Sequence, residues 1–242
     1  MYTLSNVTKT YRKGRQSITA VKDLELSISD GEWLAIQGRT GSGKTTLLQL
    51  LGALDHPSSG VINFDGRDLA RLPDTELTEV RADSIGFVFQ TFNLIPTLSA
   101  QENVEVALIP QRLPASERRA RAADALASVG LADRADHLPS ELSGGQQQRV
   151  GIARALVKDP NVLLADEPTG NLDVDTRDEI IALLETLWRE RGLTLVLVTH
   201  DAAIAQRAQH VATMQDGHLA THADRAAKPD DANEGRSRPK QR

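Results

Sequence analysis

The stretch WLAIQGRTGSGKTTLLQLLGAL, Trp33 to Leu54, decides what kind of fold this chain adopts. A short apolar run suited to a buried strand enters a glycine-rich loop, and the loop enters an apolar helix. In that context GRTGSGKT, Gly38 to Thr45, reads as a phosphate cradle and not as a chance run of small residues. Glycines let consecutive backbone N–H groups turn in around phosphate oxygens, and the helix that follows adds the positive end of its dipole. Lys44 is placed to reach the β- and γ-phosphates as a point charge, and Thr45 to ligate Mg²⁺. The candidate nucleotide ligands are therefore Gly38, Arg39, Thr40, Gly41, Ser42, Gly43, Lys44 and Thr45, with Thr46 beside them.

Before the loop, Leu24, Leu26 and Ile28 alternate ahead of an Asp30-Gly31 turn, as in a half-buried antiparallel strand. After the helix, Val61, Ile62 and Phe64 precede an Asp65-Gly66 turn, a second short hairpin signal. IGFVF (85–89), VLLA (162–165) and LTLVLVTH (193–200) are apolar runs of the kind buried in a parallel sheet. Residues 91 to 160, rich in Ala, Arg and Leu, read as several helices. A further helix after Asp173 carries Ile180, Leu184, Leu187 and Trp188 on one face and stops at Gly192. The expected fold is α/β, with a mixed or parallel core sheet, a small antiparallel part early in the chain and a helical insertion in the middle.

Beyond the loop, VLLADEPTG ends a buried strand in two adjacent acids, Asp166 and Glu167. Neither carboxylate would be stable there without a cation or a partner. Asp166 suits a direct or outer role at Mg²⁺, and Glu167 is positioned to polarise an attacking water; a helix N-cap is the plain alternative. Gln90 closes the IGFVF strand, where its amide could touch Mg²⁺ or the water. His200 closes LVLVTH, where an imidazole could reach a γ-phosphate. Tyr11 could stack on an adenine. Taken singly, each of these three is more often an ordinary strand-end or surface residue.

Composition sets bounds. The 242 residues are 40% hydrophobic and 25% charged, ordinary for a globular chain able to bury a sizeable core. The absence of cysteine excludes disulfides and cysteine metal sites and fits a reducing compartment. No stretch has the length and apolarity of a signal peptide or a membrane span, so a cytoplasmic protein is expected. A formal net charge of −5 argues against a general nucleic-acid binder. Residues 223–242 carry six Lys/Arg and four Asp/Glu and lack apolar periodicity, which reads as a disordered polar tail after a domain spanning 1–222.

Phosphate loop, glutamine, LSGGQ (Leu142 to Gln146), apolar-Asp-Glu and histidine follow one another in the order of the ATP-binding cassette (ABC) ATPases, which this chain resembles over residues 1 to about 222. LSGGQ is that family's signature. The resemblance implies an α/β cassette with an antiparallel β subdomain and an inserted helical subdomain. It also implies ATP and Mg²⁺ as ligands, and two copies dimerising head to tail. Each signature helix would then close over the ATP held by its partner, placing Ser143, Gly144, Gly145 and Gln146 at a neighbour's nucleotide. Helix-opening N–H groups at Ser143, Gly144 and Gly145 suit a γ-phosphate. Asn171-Leu172-Asp173 matches the loop that crosses the dimer interface, Tyr11 the adenine-stacking aromatic, Gln90 the glutamine that senses the permease and His200 the switch histidine.

A narrower similarity, in GALDHPSSG (52–60), IGFVFQTFNLIPTLSAQENV (85–104) and ADEPTGNLD (165–173), is to the macrolide-exporter, lipoprotein-release and cell-division group. That implies work with separately encoded integral-membrane permease subunits at the cytoplasmic face of the cell membrane. Phe92, Leu94 and Ile95 then become candidates for the permease groove, with core packing an equal alternative. Two departures stand out: Thr40 where the group usually has serine, and Gln209-His210 in place of the common Asp-Arg, where a structural ion pair could be lost. A soluble cassette acting on DNA or ribosomes would be expected to carry two cassettes or long coiled-coil insertions, and neither is present. A scaffold without turnover fits poorly with Glu167 and His200.

Overall fold

The computed structural model describes residues 1–14 and 16–221. The tail read as disordered, 223–242, lies outside the described residues. Strands β1 (Tyr2–Lys13), β2 (Gln16–Ile28) and β3 (Trp33–Gln37) are followed by helix α1 (Lys44–Leu51), β4 (Ser59–Phe64), the two-residue β5 (Arg67–Asp68), α2 (Asp74–Asp83) and β6 (Ile85–Phe89). A helical segment then holds α3 (Ala100–Glu105), α4 (Ala115–Ser128) and α5 (Gly144–Leu156), joined through short 3-10 turns. The chain continues through β7 (Val162–Asp166), α6 (Val174–Arg191), β8 (Thr194–Thr199), the short α7 (Ala202–Ala205), β9 (His210–Gln215) and β10 (His218–Thr221).

Two sheets result. The first is antiparallel in the order β2-β1-β4-β5; the second runs β10-β9-β3-β8-β7-β6, parallel except for β10. The central strands are buried on both faces, which is why they read as unbroken apolar runs. Their alternate side chains still separate. Leu163, Ala165, Leu195 and Leu197 face α3, α4, α5 and α6, whereas Val162, Leu164, Val196 and Val198 face α1 and the antiparallel sheet. The helical segment therefore shares a core with the sheet.

Register then positions the chemistry. Gln37 pairs Thr199, Asp166 pairs Val198 and Phe89 pairs Asp166, so four parallel strands end at about one level. Ligands of open α/β sheets bind beyond such carboxyl ends. The residues that leave those ends are Gly38, Gln90, Glu167 and His200.

Two elements differ from the sequence reading. β1 and the first half of β2 form a long hairpin whose polar residues hide the strand period, and three register shifts interrupt their pairing. α2 buries only Leu77 and Val80, too few apolar positions to give a helical period. Where the group usually has Asp-Arg, the Gln209 side-chain oxygen accepts from the Trp33 N–H at 3.0 Å.

Candidate nucleotide site

The phosphate loop connects β3 to α1 and is stitched to the strand beside it, since Gly38 N–H donates to the Thr199 carbonyl at 3.3 Å. Gly43 ends the loop at φ 106, a left-handed conformation open to glycine. A Cβ there would lie 2.1 Å from the Ala20 carbonyl oxygen, so the loop is pressed onto β2 with no room for a side chain. Gly43→Ala is accordingly expected to cost about 2 kcal/mol or more of stability through strain and overpacking. It should also abolish ATP binding; urea unfolding and nucleotide titration check both.

Lys44 is 5% exposed. Its Nζ donates to the Gly38 carbonyl at 2.8 Å and the Arg39 carbonyl at 3.1 Å, and lies 3.5 Å from Glu167 Oε1. The loop's own carbonyls and an acid thus hold the one buried cation of the cradle. Ser42 Oγ, also buried in the loop, has no hydrogen-bond partner among the described residues. An inward-turned loop, a buried ammonium and an orphan hydroxyl fit an anionic phosphate group.

Facing the loop, Thr45 Oγ1 donates to Asp166 Oδ1 at 3.2 Å. Burial pushes the Asp166 carboxyl above its ordinary value, the Thr45 bond partly offsets this, Glu167 adds to the rise and Lys44 opposes it. A carboxylate held back by desolvation beside a hydroxyl oxygen is a hard-oxygen donor set suited to Mg²⁺.

Glu167 has φ 43, a left-handed value that a branched or long side chain rarely takes. Its N–H donates to the Val198 carbonyl at 3.0 Å, and its own carbonyl accepts from Gly170 N–H at 3.0 Å. The bend turns the side chain to His200, whose Nδ1 lies 2.8 Å from Glu167 Oε2. Backbone strain of this kind collects at functional positions. Glu167, His200, Gln90, Asp166, Thr45, Thr46 and Lys44 line one open cleft of ≈ 510 Å³ together with Thr40, Gly41 and Gly43. Arg39, Gly38 and Ser42 line the adjoining cleft, which also reaches His200.

Tyr11 stands beside this cleft. Its hydroxyl donates to Asp55 Oδ2 at 2.8 Å, leaving the side chain 39% exposed. Burial and Asp55 raise the phenol above its ordinary pKa, and a hydrogen bond with Thr46 of α1 partly offsets the rise.

The signature residues lie elsewhere. Ser143 caps α5 by accepting from Gln146 N–H, and Gln146 Oε1 accepts from Ser143 N–H, a reciprocal capping box. A Cβ on Gly144 would meet Leu172 at 3.3 Å, and one on Gly145 would meet Thr176 at 2.4 Å. None of Ser143, Gly144, Gly145 and Gln146 lines the Lys44 cleft. Asp173 caps α6, accepting from Thr176 through both oxygens, and these bonds lower its pKa. The N-cap considered for the acidic pair therefore falls on Asp173.

Sequence reasoning missed the contacts between these parts. Gln90 Nε2 donates to Asn171 Oδ1 at 3.3 Å, and Asn171 Nδ2 returns a bond to the Gln90 carbonyl at 3.0 Å. Arg177 of α6 pairs with Asp201 at 3.0 Å, next to His200. Of the three apolar residues assigned to a groove, Leu94 packs on the core and Phe92 is half-buried; Ile95 is 41% exposed.

The model of the family described as "ABC transporter" matches residues 21–170. The chain belongs to the ABC transporter family. Within it, the chain is an ATP-binding, ATP-hydrolysing cassette. An uncharacterized ABC transporter ATP-binding protein, YvrO of Bacillus subtilis (strain 168), is 47% identical over 219 residues, covering 90% of this chain and 95% of that protein. The macrolide export ATP-binding/permease protein MacB 1/2 of Paracoccus denitrificans (strain Pd 1222) is 49% identical over 216 residues, 89% of this chain but 32% of that protein. Among solved structures, the cassette MJ0796 of Methanocaldococcus jannaschii, in a dimeric post-hydrolysis state bound to ADP and Pi, superposes with a TM-score of 0.84 at 47% identity. That match covers 90% of this chain and 96% of the other.

Proposed function

We propose that two copies of this cassette, each built from residues 1–222, close head to tail over two molecules of ATP. Their hydrolysis cycle would drive separate integral-membrane permease subunits from the cytoplasmic face of the cell membrane. One observation carries the reading: Lys44, Thr45, Asp166, Glu167 and His200 share one cleft, while the residues at the N-terminus of α5 do not line it. The first N–H groups of a helix have no partner within it, so Gly144 and Gly145 are suited to an anion brought by a second chain. The dimeric MJ0796 structure supports two copies. The MacB relatives, which unite cassette and permease in one name, support the permease.

In this reading Tyr11 stacks on adenine, and the loop amides with Lys44 hold the β- and γ-phosphates. Thr45, Asp166 and Gln90 would hold Mg²⁺, which supplies charge neutralisation between the phosphates. Glu167 takes the proton of the attacking water as its oxygen bonds to phosphorus and the bond to ADP breaks. His200 orients Glu167 and meets the γ-phosphate. Asp173 lies at the partner's site.

The test is Gly144→Asp. Binding of ATP to the isolated monomer should stay within about twofold, because the cleft of Lys44 is untouched. Turnover should fall about tenfold or more, since a carboxylate set against a partner's phosphate costs ~2 kcal/mol or more. Loss of monomer binding would place the signature helix at its own chain's nucleotide and overturn the trans arrangement.

A further inference from the structure

The segment that leaves β6 bends sharply. Phe92 and Asn93 are consecutive left-handed residues, at φ 59 and φ 50, and neither is glycine. Phenylalanine in particular is an outlier at such a value and holds it only where surrounding structure imposes it. One side chain spans both peptides. Arg154, in the last turn of α5, donates through Nη1 to the Asn93 carbonyl at 2.5 Å and through Nη2 to the Phe92 carbonyl at 2.8 Å. Both bonds go to backbone and not to a carboxylate. The guanidinium is half-buried, and burial alone pulls its pKa below the ordinary value. Retaining a desolvated charge there makes sense only if its donors are spent on specific acceptors.

On either side of the bend, other side chains fix the same segment. Gln90 exchanges two amide bonds with Asn171, and the fully buried Asn103 accepts from Ile95 N–H at 2.7 Å while donating to the Ile95 carbonyl at 3.1 Å. Arg154 fixes the two residues between these anchors, and it does so from the helix whose first turn carries Gly144. The Phe92 ring lies 3.9 Å from where a Gly144 Cβ would be, so bend and signature helix touch at a second point.

We propose that Arg154 is a positioning residue for Gln90: by holding the Phe92–Asn93 bend against α5, it sets where the Gln90 amide lies in the cleft with Asp166 and Glu167. The inference rests on the assignment of Gln90 to the catalytic cleft made above. Its physical content is that arginine offers two parallel donors in a fixed fork, able to bind two successive carbonyls that a strained turn points the same way. Released from Arg154, the turn relaxes toward ordinary backbone angles and carries Gln90 with it.

The test is a double-mutant cycle in the full chain, with kcat and KM for Mg-ATP, monomer ATP affinity and unfolding midpoint measured on each variant. Arg154→Gln should lower kcat about tenfold, within the range that misplacing a catalytic group produces. ATP affinity of the monomer should be unchanged. Gln90→Ala should lower kcat, and the double variant should be no worse than Gln90→Ala alone, because Arg154 acts through Gln90. Asn93→Gly, which makes one left-handed position free of strain, should restore most of the kcat lost in Arg154→Gln. A purely structural arginine would show neither the non-additivity nor the rescue. If Gln90→Ala lowers kcat while Arg154→Gln does not, or if the two losses multiply, the positioning role is wrong and the Gln90 assignment stands. If Gln90→Ala leaves kcat unchanged, the Gln90 assignment fails and the role of Arg154 falls with it. Should Arg154→Gln not fold, Arg154→Lys, which keeps the charge but loses the fork, takes its place in the cycle with the same expected coupling.

Discussion

Replacing Lys44 with alanine is expected to weaken ATP binding about tenfold to a hundredfold and to lower turnover by ~10³-fold, the combined loss of a charged donor in the ground state and of a phosphate clamp in the transition state. The structure gives the reason in detail. Lys44 Nζ carries three donors, two of them on the Gly38 and Arg39 carbonyls, and its nearest acid is Glu167 at 3.5 Å. Without it the loop encloses a ring of backbone dipoles with no mobile cation to answer a phosphate. Charge alone should not rescue the function. The ammonium is 5% exposed between two carbonyls, and a planar guanidinium is too large for that space, so Lys44→Arg should also fail. Isothermal titration with ATP and steady-state phosphate release measure both effects. Turnover within threefold of the parent in Lys44→Ala would remove the loop from the chemistry.

The chain announces this loop and the strands around it for a common reason. β3, β6, β7 and β8 carry apolar residues on two faces, so each reads as an apolar run with a polar or glycine end, where Asp166 closes β7 and Gly38, Gln90 and His200 directly follow β3, β6 and β8. Strand end and functional residue coincide, which makes fold and cleft legible together. β1 is different. Its side chains alternate irregularly because the ladder with β2 shifts register three times, and a shift inverts which side chains face the core.

Contacts between distant segments were not legible. Gln90 meets Asn171 across 81 positions and Arg154 meets Phe92 across 62, and nothing in either local sequence marks the partner. Capping shows the same limit on a smaller scale. Asp166, Glu167 and Asp173 are all acids ahead of a helix, yet Asp173 alone caps α6, because Asp166 closes β7 and Glu167 opens the turn to Gly170, and both line the cleft. Type and spacing suggested a cap or a cation site; backbone direction separated them.

Glu167→Gln is expected to lower hydrolysis by ~10²-fold or more, the range for loss of a general base. The substitution is close to isosteric. An amide can keep a hydrogen bond where Glu167 Oε2 lies 2.8 Å from His200, and the left-handed backbone at φ 43 is fixed by main-chain bonds to Val198 and Gly170 that the change leaves alone. The acid's negative charge near Lys44 is what disappears, so nucleotide should bind at least as well as before. Binding without hydrolysis has a consequence for assembly. In the head-to-tail arrangement proposed above, ATP contacts the phosphate loop of one chain and Gly144-Gly145 of another, so it binds the closed pair more tightly than the monomer and shifts the population toward it. With Mg-ATP the variant should elute from size exclusion as a dimer, and with ADP as a monomer. Adding Gly144→Asp should return the ATP-bound protein to monomer while leaving its nucleotide in place, because the second change acts on the partner's face of the same phosphate. Dimerisation that survives Gly144→Asp would mean that another surface joins the chains. A Glu167→Gln protein that binds ATP tightly and stays monomeric would instead separate the signature helix from the nucleotide altogether, and leave its capped, glycine-lined N-terminus packed on Leu172 and Thr176 as a structural joint.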